Sequence, residues 1–248
     1  MQAKAEWPQG WGLRELAEVP STMAEAGRIA PGLAAPEWIF AHKQTAGHGR
    51  RGRPWVMPAG NLATTLVLLD VGGPALGALR SFIAALALDQ ALSEVSGQRA
   101  AIALKWPNDV LVNGGKIAGI LLEMLPGDHL AIGIGVNLAA APETGQIEAR
   151  AVPPVALKTE LGTQIAPLEF LIHLAAAFAN FETQFRQFGF EPIRRAWLAR
   201  ATRLGQQITA RMGQEEISGI FETVDADGQL LMRLPTGLRK ISAAEISF

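Results

Sequence analysis

Residues 101–136, AIALKWPNDVLVNGGKIAGILLEMLPGDHLAIGIGV, contain four short apolar runs separated by turn-forming residues. Asn113-Gly114-Gly115 marks a hairpin, because asparagine and glycine accept the positive φ values that a tight turn requires. In chain order, the runs are Ala101–Trp106, Asp109–Val112, Lys116–Met124 and Leu130–Val136. We therefore predict a compact β region at the centre of the chain.

Helix and strand patterns surround this β region. Ser21-Thr22 precedes Met23–Ala26 and predicts a helix start, with a hydroxyl cap and an acidic residue in the first turn. Pro74–Val95 has apolar spacings near 3.6 residues and predicts a long helix. Further helices are predicted from the stripe Leu168–Phe185 and over Pro192–Ala201, and further strands over Trp38–His42 and Leu62–Leu69.

The pattern changes after Arg203. Polar and apolar residues alternate in β fashion through Gln206–Met212, Glu216–Val224 and Gln229–Leu234, with a turn at Asp225–Gly228. We predict a small all-β barrel appended to an α/β domain.

The overall composition is that of a well-packed globular protein, with 49% hydrophobic residues, 18% charged residues and a formal net charge of −1. That charge argues against a general nucleic-acid binder, whose basic face usually shows in the totals. Having no cysteine, the chain has no disulfide, thiol nucleophile or thiolate metal site, and its four histidines lack zinc-binding spacing. With neither a signal-peptide pattern nor a long uninterrupted apolar stretch, we expect a cytoplasmic protein that does not span a membrane.

The segment Gly47-His48-Gly49-Arg50-Arg51-Gly52-Arg53 places three arginines and three glycines in seven residues. Glycine lets a backbone approach a ligand, and guanidinium groups match carboxylate and phosphate oxygens. No Asp or Glu occurs from Trp38 to Leu69, so no residue nearby in sequence neutralises these cations. The segment predicts an anion-binding loop, and the alternative is a solvated basic surface loop.

Gly47, Gly49 and Gly52 also match the dinucleotide-binding pattern G-x-G-x-x-G. That pattern requires a helix to open at the third glycine, whereas Arg53-Pro54-Trp55 follows here and proline disfavours a continuing helix. A protein-kinase loop fails as well, because Pro54 occupies its valine position. Neither class is predicted.

Lys105-Trp106-Pro107-Asn108-Asp109 lies between two apolar strands. Its last three residues are typical of a plain turn, but a turn does not account for Lys105 and Trp106. Lys116 begins another apolar strand, and Gly133–Asn137 ends a third with two glycines and an amide. These groups indicate a site at which a flat ligand lies against the backbone.

The chain resembles the biotin protein ligases from about residue 20 to residue 140 and again in its C-terminal β module. The motifs that carry the resemblance are Ser21-Thr22, Gln44-Thr45 through Arg53 to Trp55, Pro58–Leu62, Lys105–Asp109, Gly115–Glu123 and Gly133–Asn137. The resemblance implies an α+β catalytic domain with a mixed sheet over residues 1–203 and an SH3-like β-barrel over residues 204–248. About twenty residues precede Ser21, so we expect a short form without the helix-turn-helix module of longer members.

The implied reaction has two steps. Biotin and MgATP give biotinyl-5′-AMP and pyrophosphate, and a lysine of a biotin carboxyl carrier domain, such as that of acetyl-CoA carboxylase, then attacks the mixed anhydride. The first step brings two anions together, so positioned cations are its main requirement. The resemblance implies catalytic roles for Lys116, Arg50 and Asp109, with Asp109 and Asn108 orienting Mg²⁺ or the ribose.

Binding roles are implied for two further groups. The biotin group comprises uncharged polar or small residues for the ureido ring and cations for the carboxylate: Ser21, Thr22, Gln44, Gly47, His48, Gly49, Arg50, Lys116 and Gly119. The nucleotide group comprises Arg53, Trp55, Lys105, Asn108 and Asn137, with Trp55 stacking on adenine and Asn137 reading its edge.

Two positions depart from the family pattern. Met23 stands where asparagine is frequent, and His48 stands where the loop usually has arginine. The alternatives are a lipoate or octanoate ligase or transferase of related fold and a non-catalytic biotin sensor. The sequence leaves the choice between monomer and homodimer open.

Overall fold

The structure, a computed structural model, describes residues 5–97, 101–143 and 152–248. In these ranges a seven-stranded sheet packed with helices is followed by a five-stranded antiparallel sheet. The helices are α1 (Thr22–Ile29), α2 (Gly73–Ser96), α3 (Leu157–Leu161), α4 (Pro167–Phe188) and α5 (Phe190–Leu198). The strands of the first sheet are β1 (Gly12–Val19), β2 (Glu37–Gln44), β3 (Leu62–Leu68), β4 (Ile102–Lys105), β5 (Asp109–Val112), β6 (Gly115–Leu125) and β7 (His129–Val136).

The predicted central β region is confirmed, because the four apolar runs form β4, β5, β6 and β7. These strands are antiparallel neighbours, and the complete order is β1-β2-β3-β7-β6-β5-β4. Asn113 and Gly114 have φ values of 49° and 83°, as the hairpin predicts. The turn at Lys105–Asp109 is thereby brought to the corner between β4 and β5.

Sequence analysis missed β1, the edge strand, which pairs in parallel with β2. Its apolar residues are interrupted by charged side chains on both faces, such as Arg14 on one and Glu15 on the other, so neither face gives a clear strand pattern. Beyond the strand, Thr45 N–H donates to the Val19 carbonyl at 3.1 Å and Ala46 N–H to the Pro20 carbonyl at 2.7 Å. Because of this parallel pairing, the start of α1 lies beside the end of β2.

Helices α2 and α4 pack together and contact the sheet. Trp38 from β2 meets Phe178 of α4 edge to face, with ring centroids 6.0 Å apart. By length and composition alone α2 resembles a membrane span, but most of it is buried inside the protein, as in the core helix of a globular domain. The sequence predicted α2 and α4 correctly, whereas α5 begins and ends earlier than the predicted Pro192–Ala201.

The second sheet comprises β8 (Gln207–Met212), β9 (Glu215–Val224), β10 (Leu230–Leu234), β11 (Gly237–Ile241) and β12 (Glu245–Ser247). The sequence predicted the first three of these strands and missed the last two, which are short. We call this sheet the C-terminal barrel. It packs on the domain that contains the seven-stranded sheet, where Trp106 Nε1 donates to the Gly228 carbonyl at 3.2 Å and Arg194 Nη1 to the Val224 carbonyl at 2.9 Å. Because β12 pairs with β8, Glu245 reaches the candidate site.

A buried ion cluster joins α2 to α4. The Arg80 guanidinium donates to Glu182 at 3.0 Å and lies 4.4 Å from the Phe185 ring centroid, while Arg186 donates to the same carboxylate at 2.7 Å. The side chains of Arg80 and Glu182 are only 3% and 4% exposed. Arg80 therefore depends on Glu182 for its buried counter-charge.

We expect Glu182→Ala to lower the free energy of unfolding by about 3–5 kcal/mol, because it leaves the Arg80 charge buried without its partner. Glu191→Ala is the control, since Glu191 forms only exposed pairs with Arg194 and Arg195 and should change stability little. Urea unfolding of both variants measures the difference. Equal losses in the two would contradict the proposed importance of the buried cluster.

Candidate active site

A cavity of about 540 Å³ opens between the large sheet, the loop after β2 and the C-terminal barrel. Every site residue predicted from the sequence lines it except Gly47. The predicted residues at its wall are Ser21, Thr22, Gln44, His48, Gly49, Arg50, Arg53, Trp55, Lys105, Asn108, Asp109, Lys116, Gly119 and Asn137. Gly47 lies behind the wall, where a Cβ atom would be 2.9 Å from Gln44 Nε2. The close approach explains why glycine stands there.

One end of the cavity is polar but uncharged. Gln44 Oε1 accepts from the Thr22 N–H at 2.7 Å and from the Thr22 hydroxyl at 3.1 Å, and Thr65 donates to the Thr22 hydroxyl oxygen at 2.8 Å. Ser21 caps α1 by accepting from Met23 N–H at 3.2 Å and also lines the cavity. The parallel β1–β2 pairing fixes this end, because it sets Thr22 against Gln44.

The other end is strongly cationic and centres on Asp109. Lys116 Nζ lies 2.6 Å from Asp109 Oδ1, and Lys105 Nζ lies 3.5 Å from Asp109 Oδ2. Burial acts to raise the pKa of Asp109, but the charges of Lys116 and Lys105 outweigh it and lower the pKa below its usual value. Burial lowers the pKa of Lys105, against the opposing effect of Asp109. Asp109 is thus an ionised counter-charge between two ammonium groups.

Arg50 extends the cationic wall. Its Nη1 donates to Asn108 Oδ1 at 3.2 Å, and Asn108 Nδ2 donates to the Ile120 carbonyl at 2.7 Å, so the amide orientation of Asn108 is fixed by the sheet. Burial and the neighbouring Arg51 charge lower the pKa of Arg50, although a guanidinium stays protonated at neutral pH. Arg50 therefore offers a partly desolvated positive charge.

The Gly/Arg loop, residues 47–53, is held by its own backbone and by the C-terminal barrel. Gly49 N–H donates to the Arg53 carbonyl at 2.7 Å, and Arg51 has a left-handed φ of 59°. The Glu245 carboxylate pairs with Arg53 and lies 3.1 Å from Arg51 Nη1. Sequence reasoning missed Glu245, because no local pattern connects a residue of β12 with a loop almost two hundred positions earlier.

The indole of Trp55 lies flat against the glycines of β6 and β7. A Cβ at Gly135 would be 2.3 Å from this ring, so only glycine permits the contact there, and one at Gly119 would be 3.2 Å from it, a tight contact. Lys116 Nζ lies 5.9 Å from the ring centroid. At Gly133 the Met23 Sδ fills the corresponding space, 2.8 Å from a Cβ position. The flat backbone surface predicted from the glycines is present, and protein side chains cover it.

His48 lies at the cavity wall with its Nε2 3.5 Å from Glu123 Oε1. Both side chains are partly exposed, so this contact is a weak one. His48 thus faces a carboxylate of β6 rather than another cation of the loop.

A resident Mg²⁺ does not fit the carboxylate as it stands. Both oxygens of Asp109 are engaged by lysine ammonium groups, and no group of three or more His, Cys, Asp or Glu suited to a metal occurs within residues 5–97, 101–143 and 152–248. The geometry gives Asp109 the role of a counter-ion, and we derive no chemical step from a protein-bound metal.

Together with the fold and the cavity, two family models define an α/β enzyme of the protein-ligase class. The model of the "Biotin/lipoate A/B protein ligase family" matches residues 15–137, and that of the "Biotin protein ligase C terminal domain" matches residues 204–248.

Similar proteins and structures are found along nearly the whole chain. The biotin–[acetyl-CoA-carboxylase] ligase of Paracoccus denitrificans is 54% identical over 237 residues, covering 94% of this chain and 99% of the relative. Biotin protein ligase from Aquifex aeolicus, solved with biotin and ATP, has a TM-score of 0.82 at 25% identity, covering 95% of this chain and 97% of the other. The Leishmania major enzyme with biotinyl-5-AMP has a TM-score of 0.67 at 26% identity, covering 94% and 99%. The chain belongs to the biotin/lipoate A/B protein ligase family, as the sequence motifs indicated.

We expect Asp109→Asn to destabilise the protein at pH 7, because Lys105 and Lys116 lose their shared counter-charge. Since the pKa of Asp109 is lowered in the folded state, its stabilisation is present above the unfolded value of about 3.9 and is lost as pH falls through the folded pKa. Urea unfolding at pH 7 and at pH 3 should show a difference between wild type and variant that shrinks in acid. Asp227→Asn, in an exposed turn, is the control. A difference independent of pH would contradict the ionised role of Asp109.

Proposed function

We propose that this protein activates biotin with ATP to give biotinyl-5′-AMP and transfers biotin to a lysine of the carrier domain of acetyl-CoA carboxylase or a similar carboxylase. The observation that carries the proposal is the cavity itself, in which the Lys105–Asp109–Lys116 cluster and Arg50 lie opposite the uncharged pair Thr22 and Gln44. The similar Paracoccus ligase and the Aquifex complex with biotin and ATP support it.

The cationic wall suits the first half-reaction. A carboxylate approaching an α-phosphate is repelled in water, and positioned cations remove that repulsion. We assign Lys116 and Arg50 to the biotin carboxylate and the α-phosphate, with Lys105 adding charge beside them. When the anions arrive, Lys116 exchanges part of its contact with Asp109 for contact with the ligand. Mg²⁺ is assigned to the ATP substrate, as MgATP.

The uncharged end suits the ureido ring of biotin, which is neutral and needs donors and acceptors within an apolar pocket. Thr22, Gln44 and Ser21 pair partly with one another and with the backbone, but within the described residues Gln44 Nε2 and the Ser21 hydroxyl hydrogen have no acceptor. Biotin supplies acceptors for them, whereas a lipoyl or octanoyl chain would leave them unpaired. An unpaired buried polar group costs about 1–3 kcal/mol, which favours biotin over these acids. Pyrophosphate release measured with biotin, lipoate and octanoate in parallel tests this preference, and equal rates would contradict it.

For the transfer step we assign the loop, residues 47–53, the role of a lid that excludes water from the acyl-adenylate. Arg53 and Trp55 are assigned to the nucleotide, with Trp55 moving from Gly119 and Gly135 to stack on adenine. Transfer of labelled biotin to a carrier domain distinguishes the ligase from a non-catalytic biotin sensor. The cytoplasmic location, the absence of nucleic-acid binding and the choice between monomer and homodimer stay predictions of the sequence.

We expect Lys116→Ala to lower biotin-dependent pyrophosphate release by about 10²–10³-fold, because it removes a cation that stabilises the developing charge. Lys158→Ala is the matched control, since Lys158 is an exposed lysine of α3 outside the cavity. Thermal unfolding of both variants verifies that they fold. Turnover near the wild-type rate in folded Lys116→Ala would refute the assignment of Lys116.

We expect the amides of residues 48–53 to exchange with solvent rapidly in the free protein and slowly once biotin and ATP bind. The loop is partly exposed, and its ion pairs with Glu245 are partly exposed as well, so the ligand's phosphate and carboxylate groups give its guanidinium groups additional partners in the complex. Hydrogen exchange read by mass spectrometry measures the change, with buried β3, Leu62–Leu68, as a segment protected in both states. Full protection of the loop without ligand would argue against a lid.

A further inference from the structure

Lys116 lies at an irregularity of β6, where this strand carries one residue more than its neighbour β5. Leu111 of β5 pairs with Lys116, whereas the preceding residue, Val110, pairs with Ala118. Ile117 is therefore left without a partner and forms a β-bulge. Because side chains otherwise alternate between the two faces of a sheet, an extra residue changes the face on which its neighbours lie.

The bulge places the Lys116 side chain on the cavity face of the sheet. Lys116 and Gly119 are an odd number of positions apart and would lie on opposite faces of a regular strand. In the structure they share one face, since a Cβ on Gly119 would be 3.4 Å from Lys116 Cε and 3.5 Å from its Nζ. The extra residue thus directs the lysine toward the cavity, where its Nζ reaches Asp109 Oδ1 at 2.6 Å.

The backbone of Lys116 is held by a later part of the chain, residues 153–155, which we call the clamp segment. Strand β7 ends opposite Ala118, and the clamp segment runs parallel to β6 beyond that point. Lys116 N–H donates to the Pro153 carbonyl at 2.8 Å, and the Lys116 carbonyl accepts from Val155 N–H at 2.9 Å. Both main-chain polar groups of the lysine are therefore bonded to this one segment.

The clamp segment is stiff and fits β6 closely. Pro153 and Pro154 have φ angles fixed by their rings. A Cβ on Gly115 would be 2.2 Å from Val155 Cγ1 and 3.1 Å from Val155 Cβ, so a side chain at position 115 would push the clamp segment away from β6. Just beyond it, Leu157 N–H donates to the backbone that follows β7 at 2.9 Å, which fixes the other end.

We propose that the clamp segment is a positioning element for catalysis, which keeps the β6 bulge in place and thereby holds the Lys116 ammonium in the cavity. The inference rests on the proposed function, since it takes Lys116 to be the cation that meets the substrate anions. Gly115 and Val155 lie outside the cavity wall and act through the lysine. Lysine has a flexible stem, so its backbone must be well placed, and a misplacement of about 1 Å can cost about 10²-fold in rate.

Gly115→Ala is the direct test, because its methyl group would displace the clamp segment. At saturating biotin and ATP we expect kcat for pyrophosphate release to fall by about tenfold or more. Gly32→Ala is the matched control, since its methyl group enters open space on the surface and should leave kcat unchanged. Thermal unfolding of both variants verifies that they fold.

Two double variants distinguish positioning of the lysine from general damage to the cavity. Val155→Ala removes the methyl groups that meet the new Cβ, so adding it to Gly115→Ala should recover most of the lost kcat. In a Lys116→Ala background, Gly115→Ala should cause no further loss, because the residue through which it acts is gone. General damage would lower the remaining rate again.

A crystal structure of Gly115→Ala gives a readout that does not depend on activity, since Lys116 Nζ should leave its position 2.6 Å from Asp109 Oδ1. Four results would overturn the proposal: unchanged kcat in folded Gly115→Ala, no recovery with Val155→Ala, an equal loss in the Lys116→Ala background, or a retained contact between Lys116 and Asp109.

If Gly115→Ala does not fold, Pro154→Gly replaces it, because it frees the φ angle of the clamp segment without adding bulk. A lower kcat that disappears in the Lys116→Ala background supports the proposal, and wild-type kcat overturns it. Failure of the proposed function is distinct, because wild-type protein would then release no pyrophosphate from ATP in the presence of biotin, while the position of Lys116 in the variant crystal would still test the clamp segment.

Discussion

Positive charge concentrated in one cavity is the constraint around which this protein is arranged. Lys105, Lys116 and Arg50 converge from three separate segments, and Asp109 places its carboxylate directly between the two lysines. Like charges held together in a partly buried space repel, and each also loses hydration. Asp109 offsets part of this repulsion without neutralising the whole cluster. The positive charge that remains attracts an anionic substrate.

The C-terminal barrel contributes a negative charge to the same cavity. Arg51 and Arg53 of the loop have no acidic neighbour in their own part of the sequence, and Glu245 of β12 supplies the missing carboxylate. The barrel therefore does more than pack against α2 and α5, since it completes the charge balance at the cavity mouth. Because these pairs are partly exposed, they hold the loop weakly enough for an incoming phosphate to compete.

Local chemistry explains which parts of the fold and the site could be predicted from the sequence. The hairpin at Asn113-Gly114 and the long helix α2 depend on turn residues and apolar spacing, which neighbouring residues determine, and both are confirmed. The edge strand β1 has charged side chains on both faces and depends on its parallel partner, so its own residues do not specify it. The glycines at 119 and 133 predicted a flat backbone surface. They did not predict that Trp55 and Met23 cover this surface, because that depends on contacts between distant segments.

The same reasoning separates residues that the sequence singles out from residues that only the fold brings to the cavity region. Asn137 stood out because an amide after two strand glycines is unusual, while Asn61 entered only as part of the Pro58–Leu62 motif, without a role of its own. Only the structure brings Asn61 against Ala139, Ala140 and Asn137, 76 positions or more away in sequence. A buried amide needs partners for both its oxygen and its nitrogen, and for Asn61 those partners come from a segment far away in sequence. The cations of the cavity could therefore be found from their spacing along the chain, whereas the contacts that fasten Asn61 to Ala139 and Ala140 depend on distant segments meeting in the fold.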